Sequence, residues 1–190
     1  MPLDGSAGEP SDRPVFAVCA HGRHDQCCAV RGRVVAARLA EAYPEETWEC
    51  SHLGGDRFAG TMVLLPHGLY YGWADDGDVV AIADAYLRGR VVPSLLRGRS
   101  SASHPVQAAQ HFARTELGDD ALDAFPPLRE DRTDGGWTVA LANAGGAVSV
   151  RLVETSSAPL LSTCAATQAL PVRQWALAGL TVVPPGYGTM

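Results

Sequence analysis

The chain has 190 residues, 46% of them hydrophobic and 19% charged, which is typical of one globular domain or of one domain with a small appendage. Its formal net charge of −6 argues against general nucleic-acid binding, which needs a basic surface. All 15 basic residues are arginine, so Schiff-base chemistry on lysine and a P-loop lysine are excluded.

The amino-terminal segment and the cysteines point to a cytoplasmic protein. Residues 1–13 are polar and contain no apolar run, so we expect a flexible terminus and no signal peptide. No apolar stretch approaches the roughly 18 residues that a membrane-spanning helix needs. The five cysteines are odd in number, include an adjacent pair, and are expected to be reduced thiols.

The chain begins with a predicted strand–helix–strand unit. Residues 14–19 form an apolar strand rich in β-formers, and residues 20–32 predict a loop because they contain two glycines and no periodicity. A helix is predicted over 33–43 and a second strand over 47–51. Because a helical crossover joins them, the two strands must be parallel and the crossover right-handed.

A hairpin and two helices follow this unit. Strands are predicted over 61–65 and 69–73, joined by the turn Pro66-His67-Gly68. One helix begins after the cap Asp78 and ends near Leu87, and another runs from about Ser103 to the residue before Gly118.

These elements predict an α/β fold of the thioredoxin-like kind, an open sheet with flanking helices, over residues 14–118. Residues 119–136 are rich in proline, glycine and charge and predict a linker. Residues 137–190 predict a small β appendage, with a hairpin around Gly145-Gly146 and a last apolar strand within 175–183.

Soft metal ligands stand at the carboxyl ends of the two parallel strands. Cys19 closes the first strand, Cys28 lies in the predicted loop behind it, and His52 follows the second strand in a turn that ends at Asp56. Since parallel strands end at the same edge of a sheet, we expect these side chains to meet there. Thiolate and imidazole are preferred by zinc and by iron–sulfur centres, so the pattern predicts a metal or redox-cluster site.

The same residues resemble the sucrase/ferredoxin-like family, the thioredoxin-like ferredoxins. The resemblance rests on Cys-x8-Cys from Cys19 to Cys28, on Ser-His-Leu-Gly-Gly from Ser51, and on Leu-Pro-His-Gly-Leu-Tyr-Tyr-Gly from Leu65. It implies a [2Fe–2S] cluster held by two cysteines and by both histidines of a His-x3-His pair. In this chain the second histidine position is occupied by Asp56.

The resemblance therefore implies an electron carrier rather than an enzyme. Its expected partner is a redox protein, a reductase or an oxygenase, with no nucleic acid and no membrane involved, and the oligomeric state stays open. The fourth ligand stays open between Asp56, Cys27, Cys50 and water. The predicted ligands of the [2Fe–2S] cluster are Cys19, Cys28, His52 and Asp56.

Two other classes of protein remain as alternatives. A thiol oxidoreductase using Cys27 or Cys28 is disfavoured because the chain has no Cys-x-x-Cys motif. A binding or regulatory protein whose site holds zinc, or is empty, is compatible with the residue types, because zinc accepts Cys, His and Asp. Cys50 and Cys164 are expected to be structural.

Four arginines flank the predicted site. They form either an ordinary solvated surface or a positive patch that steers an acidic partner. These residues are Arg23, Arg31, Arg33 and Arg57.

Overall fold

The computed structural model describes residues 11–23 and 25–184 as two β-sheets with helices packed against them. Most of the predicted flexible terminus and the last residues of the predicted appendage lie outside this described part. Within the described residues, no helix is both long and apolar enough to cross a bilayer.

The first sheet has five strands in the order β2-β1-β3-β4-β5, and two helices pack on it. Its elements in chain order are β1 (Val15–Cys19), α1 (Gln26–Ala42), β2 (Thr47–Cys50), a 3₁₀ turn (Asp56–Phe58), β3 (Met62–Leu65), β4 (Leu69–Tyr71), α2 (Val79–Leu87) and β5 (Leu96–Arg99).

Strands β1 and β2 are parallel, as predicted, and Cys19 is the register partner of Cys50. The other neighbours are antiparallel, so the sheet is mixed. The predicted hairpin is confirmed as β3 and β4, and both predicted helices after it are present. Strand β5 was not predicted, because Leu-Arg-Gly-Arg carries neither alternation nor β-branched residues.

Helix α1 begins at Gln26 and not at Arg33, so the prediction of a loop up to residue 32 was wrong over its second half. The side chain of Asp25 caps the helix by accepting a hydrogen bond from the Cys27 backbone N–H. Gly32 lies inside the helix. This position requires glycine because a Cβ there would overlap the carbonyl oxygen of Cys19. The glycine thus marks a close approach of helix to strand and not a break in the helix.

The second sheet is a four-stranded antiparallel meander in the order β6-β7-β8-β9. Strand β6 lies inside the segment predicted as a linker, which therefore contains an edge strand rich in charged residues. Helix α3 packs its apolar face on this sheet and shares a core with it. The elements are α3 (His104–Leu117), β6 (Pro127–Thr133), β7 (Gly136–Asn143), β8 (Gly146–Ser156) and β9 (Arg173–Val183).

Substitution of Gly32 tests the close packing of α1 on β1. Alanine normally favours a helix over glycine by about 1 kcal/mol. Because the added Cβ overlaps the Cys19 carbonyl, we expect Gly32→Ala instead to lower the free energy of unfolding by about 1–3 kcal/mol in urea titrations. Gly145→Ala is the control, because nothing lies within 4 Å of a Cβ there. Equal stability of both variants would contradict the close contact.

Candidate metal centre

Two cysteine thiols meet where β1 ends and α1 begins. Cys19 is the last residue of β1 and Cys28 lies in the first turn of α1, and they are only 2% and 3% exposed. With Ala59 they form a small apolar cluster, separate from the two main cores. The Cys19 Sγ lies 4.0 Å from the carbonyl oxygen of Ser51, which starts the loop after β2. The two loops therefore meet at one edge of the sheet.

The turn after β2 directs a carboxylate into this pocket. Gly54 and Gly55 adopt φ angles of 76° and 71°, a left-handed conformation that residues with a side chain rarely adopt. Asp56 begins the 3₁₀ turn and is buried, with its Oδ1 accepting a hydrogen bond from the Cys28 thiol at 3.7 Å. The Nδ1 of His52 lies 3.7 Å from the same oxygen. All four residues predicted from the sequence are thus brought together.

Burial controls the protonation of the thiols. Desolvation, followed by the neighbouring Cys19 and Asp56, raises the pKa of Cys28 to about 12. Burial and the proximity of Cys19 also raise the pKa of Cys50, which is half-buried at the end of β2. Without a cation, the thiols of Cys28 and Cys50 therefore stay neutral. A bound metal centre would reverse this preference, because ligation requires the thiolate.

The donor set suits a metal centre. Two buried thiols, one imidazole and one carboxylate are all ligands of iron or zinc. Within the described ranges, however, no three of these four side chains place their ligand atoms within 4.8 Å of one another.

A compact three-ligand group lies next to this pocket. The ligand atoms of Asp25, Cys27 and Cys164 all fall within 4.8 Å of one another, so this group can hold a metal ion. The Asp25 carboxylate accepts hydrogen bonds from the Cys164 backbone N–H at 2.9 Å and from the Cys164 thiol. The Cys27 backbone N–H lies 3.3 Å from the Cys164 Sγ.

The chemistry of this second group differs from that of the first. A hydrogen bond with Cys164, together with burial and the charge of Asp25, raises the pKa of Cys27 to about 11. Burial alone would raise the pKa of Asp25, but the hydrogen bonds from Cys164 and Cys27 lower it overall. The Asp25 carboxylate is therefore ionised while the Cys27 thiol is neutral, and a bound cation would be needed to stabilise the Cys27 thiolate.

The structure changes the interpretation of two cysteines. Cys27 lies on the first turn of α1 and contacts Cys164, so it belongs to the second group. Cys164, expected to be structural, lies between β8 and β9 and reaches Asp25 across 139 residues of chain. Sequence spacing gives no signal for that contact. Aspartate is a common N-cap residue, so Asp25 could have indicated that a helix begins at Gln26. This signal was missed because the helix was predicted to begin at Arg33.

Three histidines outside the pocket have other partners. His67 makes a 2.7 Å hydrogen bond with the hydroxyl of Tyr86, and His104 accepts one from Arg173. His111 packs edge-on against Phe112. His24 falls outside the described residues.

The flanking arginines do not act as one patch. Arg31 is paired with Asp75 and Asp76, whereas Arg57 stacks on the ring of Phe58.

Comparison with known proteins identifies the half of the chain that holds the first pocket. Residues 6–98 match the family model described as sucrase/ferredoxin-like. This portion of the chain belongs to the sucrase/ferredoxin-like family. The match includes Cys19, Cys28, His52 and Asp56 and ends within β5. Neither the curated proteins nor the solved structures contain a match to the chain.

The raised thiol pKa values predict slow alkylation of the metal-free protein. At about pH 8, only about one Cys28 thiol in 10⁴ is ionised if its pKa is about 12, and the side chain is also buried. We therefore expect iodoacetamide to modify Cys28 at least 100-fold more slowly in the folded chain than in urea, where an ordinary thiol has a pKa of about 8.5. Peptide mass spectrometry at several pH values measures both rates. Rapid folded-state labelling of Cys28 would contradict the buried neutral thiol.

Proposed function

We propose that the family portion of the chain is a thioredoxin-like electron-transfer module that carries a [2Fe–2S] cluster on Cys19, Cys28, His52 and Asp56. The observation that carries the proposal is the convergence at Asp56, whose Oδ1 lies 3.7 Å from both Cys28 Sγ and His52 Nδ1 beside the buried Cys19. The parallel β1–α1–β2 unit followed by the β3–β4 hairpin supports the thioredoxin-like assignment.

The contacts favour Asp56 over Cys27 as the fourth ligand. Asp56 is buried in the pocket, and its Oδ1 lies 3.7 Å from both Cys28 Sγ and His52 Nδ1. Cys27 contacts Cys164 and Asp25 instead, and its position next to Cys28 makes simultaneous ligation by both thiols awkward. Cys50 remains the closer rival, because it lies beside Cys19 across the parallel strands.

The arrangement suits transfer of electrons more than chemistry on a substrate. When bound, a [2Fe–2S] cluster accepts and releases one electron at a time. The side chains of Cys19 and Cys28 would hold it on the buried side, while that of His52 is 48% exposed. The His52 edge is thus the face that a redox partner, a reductase or an oxygenase in the cytoplasm, would approach.

Single substitutions of the proposed ligands test this function. We expect Cys19→Ser and Cys28→Ser to lose the visible absorption and most of the iron of protein purified without oxygen, because each removes a thiolate ligand. Asp56→Ala should reduce iron content at least several-fold, and Asp56→His, which restores the family pattern, should retain it.

The matched controls are Cys27→Ser and Cys50→Ser, which remove thiols outside the proposed set. Both should keep the iron and an unchanged spectrum. If Cys50→Ser or Cys27→Ser loses the cluster while Asp56→Ala keeps it, that cysteine is the fourth ligand and the assignment of Asp56 is wrong. A wild-type chain that holds zinc in this pocket would contradict the proposed function itself.

A second candidate function is supported by the compact group of Asp25, Cys27 and Cys164. Two thiols and a carboxylate form a zinc-type donor set, with a fourth position left for water. Cys164 is in the segment between β8 and β9, and Asp25 and Cys27 are at the start of α1. Zinc bound there would therefore join the family portion to the second sheet without taking part in electron transfer.

Metal analysis separates the two candidates. If zinc occupies the second group, Cys164→Ser should lose zinc and keep iron, whereas Cys19→Ser should lose iron and keep zinc. Zinc bound there would hold Cys164 in place and should protect residues 157–172 from proteolysis. Removing the zinc with a chelator would release Cys164 and should make these residues more susceptible. Absence of zinc from protein supplied with it, with unchanged proteolysis after chelation, would rule this candidate out.

A further inference from the structure

A cleft of about 1010 Å³ lies beside α3, between β4–β5 of the first sheet and β9 of the second. Although the chain has a net charge of −6, the cleft is lined by three arginines and two histidines and by no acidic residue among those described. Such a concentration of positive charge in an acidic protein indicates an anionic ligand. The basic residues are Arg57, Arg97, His104, His111 and Arg173.

Arg57 and Arg97 form the strongest part of this positive lining. Their guanidinium carbons lie 4.4 and 4.3 Å from the centre of the same ring, that of Phe58. Within the described residues, neither arginine has a carboxylate within salt-bridge distance. The Nη1 of Arg97 is fully buried and has no hydrogen-bond partner there. A buried guanidinium donor without an acceptor is costly, and it leaves the positive charge of Arg97 uncompensated beside the cleft.

Two glycines hold Arg97 in this position. A Cβ on Gly55 would lie 2.6 Å from Arg97 Nη2, and one on Gly72 would lie 2.9 Å from Arg97 Cδ. The Arg97 side chain therefore occupies space that a side chain at residue 55 or 72 would fill. Gly55 belongs to the turn between His52 and Asp56, so the Arg97 side chain lies against the turn that carries two of the candidate ligands.

The opposite side of the cleft combines another cation with aromatic rings. Arg173 stacks on Trp175 at 5.4 Å and donates a hydrogen bond to His104 Nδ1 at 2.8 Å. Phe112 contributes a second half-buried ring from α3. Aromatic and guanidinium planes are suited to stacking on a planar ring of a ligand.

We propose that this cleft binds a small aromatic monophosphate, a nucleotide or a flavin mononucleotide, with its phosphate at Arg57 and Arg97 and its ring on the side of Trp175. Two guanidiniums without carboxylate partners match the two negative charges and the planar contacts of a phosphate. The cleft volume of about 1010 Å³ is at the upper end of the range of small-molecule sites. This binding function is additional to the cluster and does not depend on it.

The repulsion between the two arginines supports the proposal. Burial, and then the charge of Arg57, lower the pKa of Arg97 from its usual value. The guanidinium remains protonated at neutral pH, so the unfavourable interaction persists until an anion neutralises it.

Paired probes with and without the phosphate test the proposal on the full chain. Flavin mononucleotide and riboflavin are titrated by fluorescence anisotropy at low salt, and adenosine monophosphate and adenosine by calorimetry. We expect at least one phosphate-bearing probe to bind at one per chain, and its phosphate-free partner to bind at least tenfold more weakly. Binding should weaken as the salt concentration rises.

Variants that remove one charge at a time assign the site. Arg97→Met and Arg57→Met should each weaken binding about 10- to 100-fold, the effect of losing a hydrogen bond to a charged group. Arg38→Met is the matched control, because Arg38 is exposed on α1 outside the cleft and should leave affinity unchanged. If Arg97→Met fails to fold by circular dichroism, the exposed Arg57 supplies the decisive variant.

Three results would overturn the proposal. The first is that neither phosphate probe binds with a Kd below about 1 mM. The second is that each probe and its phosphate-free partner bind with equal affinity. The third is that Arg57→Met and Arg38→Met have the same affinity for the probe. Because these titrations measure binding and not electron transfer, they remain informative whether or not the protein contains iron.

Discussion

The contact between α1 and the end of β1 determines the geometry of the thiol pocket. Cys28 and Gly32 are four residues apart on α1 and therefore lie on the same face of the helix. Because Gly32 has no Cβ, this face rests directly on the Cys19 carbonyl, and Cys28 is carried to the side chain of Cys19. The same face continues through Val35 and Leu39 into the main core, which fixes the helix along its length.

Charge is the second constraint on this region. The pocket buries a carboxylate beside two thiols, and its neighbour combines an ionised Asp25 with two more. Each group is costly to desolvate without a cation. Arg97 lies against the Gly54-Gly55 turn, and with Arg57 it lines a cleft that has no acidic residue among its described lining residues.

Much of the family portion could be predicted because its elements have local signals. The cap Asp78, the Pro-His-Gly turn and the glycine at 118 each mark a boundary, and the parallel β1–β2 pair follows from the crossover. That pairing alone placed Cys19 and His52 at the same edge. The start of α1 was missed because a glycine in the sequence usually indicates the end of a helix. Gly32 instead permits a close tertiary contact within the helix.

The remaining features depend on contacts that spacing cannot reveal. Cys164 is 137 residues from Cys27, and nothing near it in the sequence indicates a partner. Arg97 lies on β5, a strand without a recognisable pattern, and its position depends on Gly55 and Gly72 in other elements. Helix α3 was predicted correctly, but its packing on the second sheet was not, because an amphipathic helix does not specify which sheet it covers.

Quantitative metal and sulfide analysis measures what the Cys19–Cys28 pocket contains. Protein purified and kept without oxygen, at known chain concentration, is assayed for iron, acid-labile sulfide and zinc. We expect two irons and two sulfides per chain, and we expect Cys28→Ser to lose both together. Iron without sulfide, or a chain that takes up neither when both are supplied under reducing conditions, would contradict it.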